Sequence, residues 1–223
     1  MSDPMALQVL RERRIVSVIR ASAPATAVAA DRAVAEGGIP LIEITFTVPQ
    51  APRAIAELAG RADVVVGAGT VLTATEAREA LAAGARFIVA PNLSLEVARV
   101  VLAADVMYCP GAYTPTEIIA ARAAGAHIVK VHPVGVAGGP AYIRAVRDPL
   151  PDLPMLAAGG TSLENFVPFL EAGCVGVGLG PALADPALAA AGAFAEITRR
   201  AQAFVQQLEA ARSAARVPRP LGT

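Results

Sequence analysis

Lysine is almost missing from this 223-residue chain. Of its 19 Lys and Arg residues, 18 are arginine and one is Lys130. Tryptophan is absent, aromatics make up 4%, and there are two cysteines, Cys109 and Cys174. Two cysteines supply neither a disulfide framework nor metal-ligand spacing, and each reads as a small apolar packing residue. The formal charge is zero and no basic patch stands out, which speaks against a nucleic-acid partner. No apolar run approaches the roughly 20 residues of a membrane span. The opening residues MSDPMALQVLRERR lack the charge-then-apolar-core order of a secretory leader. A reduced, cytoplasmic protein is therefore expected. One nearby His and one Glu make a poor metal site, so neither metal nor other cofactor is expected.

What is present is apolar and periodic. Hydrophobic residues make up 55%, which excludes disorder for most of the chain. The length suits one domain, expected over residues 1–215, with 216–223 as a disordered tail. Alanine-rich helical stretches alternate with short Val/Ile-rich runs. The strands are read as Arg14–Arg20, Leu41–Phe46, Val64–Val66, Arg86–Ala90, Asp105–Tyr108, a sixth around Lys130, Met155–Ala158 and Val175–Gly178. Helices fall between them, one precedes the first strand, and a long one closes the chain from about residue 191. Thr73-x-x-Glu76 and Thr114-x-x-Glu117 are capping boxes.

The segments AEGGIPLIEI, AAGARFIVAP, AAGAHIVKVHP and EAGCVGVGLG share one form: helix end, glycine, strand, polar or glycine loop. That is a repeated βα unit. Eight such units predict an α/β fold, a (β/α)8 TIM barrel with added N- and C-terminal helices. An open doubly wound sheet is the alternative, but it usually carries a dinucleotide fingerprint after strand one. Here Arg20-Ala21-Ser22-Ala23-Pro24 follows instead.

In a barrel, chemistry sits at the C-terminal strand ends. Arg20, Glu43, Thr45, Thr70, Lys130 and His132 all fall there. Glu43 and Thr45 share strand parity, as do Lys130 and His132, so each pair points one way. An arginine-for-lysine bias explains the missing lysines, yet not why the last one lies in the apolar run Ile128–Val131. A Schiff-base lysine must shed its proton, and at an unperturbed pKa near 10.4 only about one in a few thousand is free amine at pH 7. Apolar neighbours lower that pKa. Glu43, in an apolar strand, needs a cation or a proton. Lys130 offers it an ion pair, and Glu43 is the candidate general acid/base. The bland alternative is a buried Lys–Glu pair without chemistry. Arg20 and Thr70 could hold a substrate carboxylate. The glycine pairs Gly159-Gly160 and Gly178-x-Gly180 could cradle phosphate with backbone N–H groups, although left-handed turns call for glycine too.

These residues carry a resemblance. Glu43-Ile44-Thr45-Phe46-Thr47, Gly67-Ala68-Gly69-Thr70, Ala90-Pro91-Asn92, Cys109-Pro110-Gly111, Lys130-Val131-His132-Pro133 and the late glycine pairs occur in order. From about Leu10 to Gln207 the chain resembles the bacterial 2-keto-3-deoxy-6-phosphogluconate (KDPG) aldolases, which also cleave 4-hydroxy-2-oxoglutarate (KHG). The resemblance implies a class I, metal-free, trimeric (β/α)8 enzyme that releases pyruvate from 2-keto acids. It implies that Lys130 forms the Schiff base and Glu43 is the acid/base. It places Thr70 and Pro91 in the pyruvate pocket, and Arg20 matches an arginine that some members carry.

Four positions depart from the family pattern. Thr47 stands where many members have arginine, His132 where Phe is usual, Ala158 where Thr is usual, and Pro181 where a phosphate-binding Ser is usual. The resemblance therefore leaves two substrate classes open, phosphorylated and unphosphorylated. A sugar-phosphate isomerase or epimerase on the same barrel is the reading from another enzyme class, and a non-catalytic barrel subunit is a third.

Overall fold

The structure, a computed structural model, describes residues 4–216. Apart from Arg216, the tail expected to be disordered lies outside the described residues. The described residues form nine parallel strands and ten helices, mostly in alternation. The strands are β1 (Ile15–Ile19), β2 (Leu41–Thr45), β3 (Val65–Gly69), β4 (Phe87–Val89), β5 (Met107–Cys109), β6 (Gly111–Ala112), β7 (Val129–Val131), β8 (Met155–Ala158) and β9 (Gly176–Leu179). The helices are α1 (Met5–Arg13), α2 (Pro24–Glu36), α3 (Ala51–Ala59), α4 (Ala74–Ala82), α5 (Leu95–Ala103), α6 (Pro115–Ala123), α7 (Pro140–Arg147), α8 (Phe166–Glu171), α9 (Pro186–Ala190) and α10 (Phe194–Arg216).

The strand order is β5-β4-β3-β2-β1-β9-β8-β7-β6. Its two ends, β5 and β6, are one stave split at Pro110, which has no N–H to give the ladder. The stave still pairs on both sides. Val89 lies opposite Cys109, and Lys130 N–H donates to the Pro110 carbonyl at 2.9 Å. Eight staves thus close the barrel.

Helix starts follow local chemistry. Thr73 and Thr114 accept from the N3 backbone while Glu76 and Glu117 reach back, the reciprocal cap anticipated above. Prolines stand in the first turns of α2, α6 and α7, where a missing N–H costs nothing.

Strand alternation sorts the side chains into two cores. Ile42, Ile44, Val129 and Val131 point outward under the helices. Leu41, Ile128, Leu156, Phe87, Met107 and Cys109 point inward and meet Leu7 and Leu10 of α1. That helix therefore plugs the N-terminal end of the barrel. Each large side chain buried this way contributes about 1.5–3 kcal/mol. Two residues further along the same inward faces stand Glu43 and Lys130.

Several boundaries differ from the sequence reading. Strand three was expected to stop at Val66, yet β3 runs through Gly67 and Gly69. A Cβ on Gly67 would lie 2.5 Å from the Phe87 ring, so these are inward strand positions emptied for neighbouring side chains. The eighth helix begins at Phe166, because Asn165 Oδ1 accepts from Ser162 N–H and holds 162–165 as a turn. The short α9 was not anticipated, and Asp185 caps it through Ala187 N–H.

Candidate active site

Glu43 sits on β2 opposite Gly67 of β3, and Thr45 opposite Gly69. Lys130 sits on β7, flanked by Gly111 and Leu156. Both face the barrel interior near its C-terminal mouth. Glu43 is 1% exposed and Lys130 6%. The glutamate exists in this place only because β3 gives way. A Cβ on Gly69 would lie 1.8 Å from Glu43 Oε1. Burial raises the Glu43 pKa, while the charges of Lys130 and Arg20 pull it down less strongly. The expected Lys130–Glu43 ion pair is not formed. Glu43 Oε1 is buried without a hydrogen-bond partner, and Lys130 acts on it through space. A buried acceptor left unmatched costs about 1–3 kcal/mol, so the position is poor for stability and poised for a ligand.

Lys130 opens into a cavity of about 120 Å³. Arg20, His132, Ala158 to Thr161, Gly178, Gly180 and Pro181 line it with the lysine. It is smaller than the roughly 300–1,000 Å³ of drug-sized sites and half open to the barrel mouth. Arg20 follows directly after β1 and is half-buried. Its guanidinium approaches the last glycine loop, since a Cβ on Gly180 would lie 3.4 Å from Nη1. No carboxylate among the described residues forms an ion pair with it, so its charge is open to a substrate anion.

Gly159 and Gly160 have φ of 80° and 84°, a region that favours glycine. Side chains are also excluded by space: a Cβ on Gly160 would lie 2.8 Å from the Gly135 Cα. Thr161, which sequence reasoning missed, is buried here and donates to the Gly178 carbonyl at 2.7 Å. Its hydroxyl proton is thus spent on joining the two glycine loops. The only sequence signal for it was its place directly after Gly159-Gly160.

The remaining expected residues divide. Thr45 is buried and donates to the Ile19 carbonyl at 3.1 Å, fastening β2 to the end of β1 beside Arg20. Since that proton is committed, the 2.6 Å contact between the Thr45 and Thr47 hydroxyls makes Thr47 the donor. Thr47 itself is exposed. Thr70 follows β3 with φ of 56°, a genuine outlier for a β-branched residue, and such strain concentrates at functional sites. Pro91 lies outside the Lys130 cavity. It lines an adjoining one of about 260 Å³ with Tyr113, Glu117 and the other edge of His132. The His132 Nδ1 is buried and unpartnered. Burial first, then Lys130 and Arg20, lower its pKa, opposed by the Ala158 carbonyl, whose geometry falls short of a hydrogen bond.

The chain as a whole is matched by known proteins. The family model for KDPG and KHG aldolase matches residues 7–200. The chain belongs to the KDPG and KHG aldolase family. It is 37% identical over 182 residues, 80% of this chain and 85% of the other, to a probable 2-dehydro-3-deoxy-6-phosphogalactonate aldolase of Rhizobium meliloti. It is 36% identical over 169 residues, 74% and 82% of the two chains, to the 2-dehydro-3-deoxy-6-phosphogalactonate aldolase of Escherichia coli. Among solved structures, the KDPG aldolase of Legionella pneumophila, with pyruvate captured as a covalent carbinolamine intermediate, superposes with a TM-score of 0.83. That match has 25% identity and covers 90% of this chain and 98% of that one. Among the described residues, no helix is long and apolar enough to cross a membrane.

Proposed function

We propose that this member is a class I aldolase that cleaves 2-keto-3-deoxy-6-phospho sugar acids, KHG, or both, to pyruvate and an aldehyde. The observation that carries the reading is the sole lysine, inward and nearly buried, opening beside an unpartnered buried carboxylate into a cavity rimmed by Arg20 and glycine loops. Lys130 attacks the keto carbon and forms an iminium, which draws electrons from the C3–C4 bond as it breaks. Glu43, its pKa raised by burial, acts as the general acid/base. Arg20 binds a substrate anion through its fork of N–H donors. The resemblance assigns Thr70 and Pro91 to the pyruvate half, Pro91 from the adjoining cavity, and Thr45 supports the wall that carries Arg20. The enzyme needs no metal or other cofactor.

The anionic end of the substrate docks at Gly159, Gly160, Gly178 and Gly180. Ala158 and Pro181 supply no hydroxyl there, Pro181 supplies no N–H, and the Thr161 proton is committed. Each missing bond to a charged group is worth roughly 1.5–3 kcal/mol. Discrimination between phosphorylated and unphosphorylated substrates is therefore weak. A kcat/KM preference above about a thousandfold for the phosphate ester, near 4 kcal/mol, overturns that point.

The decisive test is borohydride reduction with pyruvate. One pyruvate-derived group on Lys130 supports the aldolase reading. No adduct, or one confined to the N-terminal amine, favours an isomerase or epimerase chemistry that has no imine. We also place the enzyme in the cytoplasm as a homotrimer. Exposed Leu72, Leu95, Tyr113 and Ile119 recur over successive βα units, which supports self-association. A monomer by light scattering at micromolar concentration rules the trimer out.

A further inference from the structure

Lys130 and His132 lie on one inward face, two residues apart, roughly 6.6 Å along the strand. His132 lines the same cavity as Lys130 and the glycine loops, and its ring lies against Gly159. A chain held by its keto carbon at Lys130 and by its anion at the glycines must pass the imidazole with its middle carbons. His132 Nδ1 is buried against Gly159, where a Cβ would come within 2.7 Å of it, and has no partner among the described residues. With Nδ1 turned into the loop, Nε2, which is not among the buried unpartnered atoms, is the ring nitrogen left to meet a substrate hydroxyl.

We propose that His132 is a second proton-handling catalytic residue, which takes the proton of the C4 hydroxyl as the C3–C4 bond breaks. This deepens the aldolase reading and rests on it. With C2 held as the iminium, His132 accepts the hydroxyl proton and the C4–O bond becomes the aldehyde carbonyl. The C3–C4 electron pair moves into C2=C3 and neutralises the iminium as an enamine. Glu43 then delivers its proton to C3, water hydrolyses the pyruvate imine, and proton exchange with solvent resets both groups. The adjoining cavity at the other edge of the ring gives that exchange a path.

The environments of the two groups agree with the division. Burial favours the protonated carboxyl of Glu43. Burial and the two cations favour the neutral imidazole. An acid and a base pushed toward these opposite forms are what a cleavage site needs. The charged or titratable groups that face His132 are Lys130 and Arg20 in the first cavity, and Glu117 and Tyr113 in the second. Glu117 is occupied by Tyr113 N–H and Thr114 N–H and offers the ring no proton.

The experiment compares wild type with His132→Phe and His132→Asn in three assays: borohydride trapping of pyruvate, exchange of pyruvate methyl protons, and the pH profile of kcat/KM for cleavage. Trapping and exchange are expected within about twofold of wild type in both variants, which also certifies their fold. Cleavage is expected to fall by about 10²–10⁴-fold, the usual range for general acid–base groups. Wild type should lose cleavage as acid protonates a histidine titrating below 6.5, and that limb should vanish in both variants. Cleavage that survives in either variant, or falls only in step with exchange, overturns the proposal. A wild type that forms no pyruvate adduct defeats the aldolase reading itself, and this proposal with it.

Discussion

The two ends of the barrel interior are built from the same strands and follow opposite rules. At the N-terminal end, Leu41, Phe87, Met107, Ile128 and Leu156 close around Leu7 and Leu10. At the other end, two residues along β2 and β7, stand Glu43 and Lys130. There the structure leaves Glu43 Oε1 and His132 Nδ1 buried and unmatched and holds Thr70 at φ of 56°. One end stores stability and the other spends it, and a shift of two residues separates them. Loss of a side chain at one end should therefore move stability without chemistry, and the reverse at the other.

The largest expected effect tests the upper end. Glu43→Gln should keep borohydride trapping of pyruvate measurable while turnover drops about 10²–10⁴-fold. Near-normal exchange of pyruvate methyl protons in this variant would remove Glu43 as the proton carrier. At the lower end, Phe87→Ala should lower unfolding free energy by about 3–5 kcal/mol in urea denaturation. The folded fraction should retain wild-type kcat/KM. A loss of kcat without a loss of stability would erase the contrast between the two ends.

The smallest effect sharpens a second contrast, between buried carboxylates. Asp31 on α2 is as buried as Glu43 but pairs through Oδ2 with Arg61 at 3.2 Å, outside the barrel. Burial nevertheless dominates and raises its pKa from 3.8 to about 7, against the pull of Arg61. A carboxyl raised in the folded state adds stability that is complete below the unfolded pKa. That contribution is lost as pH climbs through the folded value, here between about 4 and 7. Asp31→Asn lacks this slope. Its stability relative to wild type should therefore rise, on the order of 1–3 kcal/mol, between pH 4 and pH 8. Denaturation midpoints that keep a constant difference across that range would show that Arg61 fully compensates the charge.

Much of the frame was legible along the chain because its signals are local. β8 begins and ends where apolar periodicity and the following glycine pair put it. The reciprocal caps at Thr73 and Thr114 need only residues three apart. That Lys130 and His132 point one way, as do Glu43 and Thr45, followed from period-two alternation. Glycine was the less legible residue, because it marks both turns and crowded strand positions. Gly67 and Gly69 read as a loop, since the Phe87 ring and the Glu43 carboxylate that demand their emptiness come from other strands. The expected Lys130–Glu43 pair failed for a related reason. Opposite charges on one sequence face imply attraction, but contact distance depends on how far apart the barrel holds β2 and β7.

By itself the sequence determined the alternation of elements, the shared parity of Glu43 with Thr45 and of Lys130 with His132, and the place of its one lysine in an apolar strand. Those properties depend on side-chain type and on spacing within one segment. Only the tertiary structure decided that Pro110 splits a stave without opening the barrel and that Thr45 is bound to Ile19. It alone brought Arg20 against Gly180, spent the Thr161 proton on Gly178, and set His132 between two cavities with a bare nitrogen. Each of these joins residues from different βα units, and barrel closure fixes their distances.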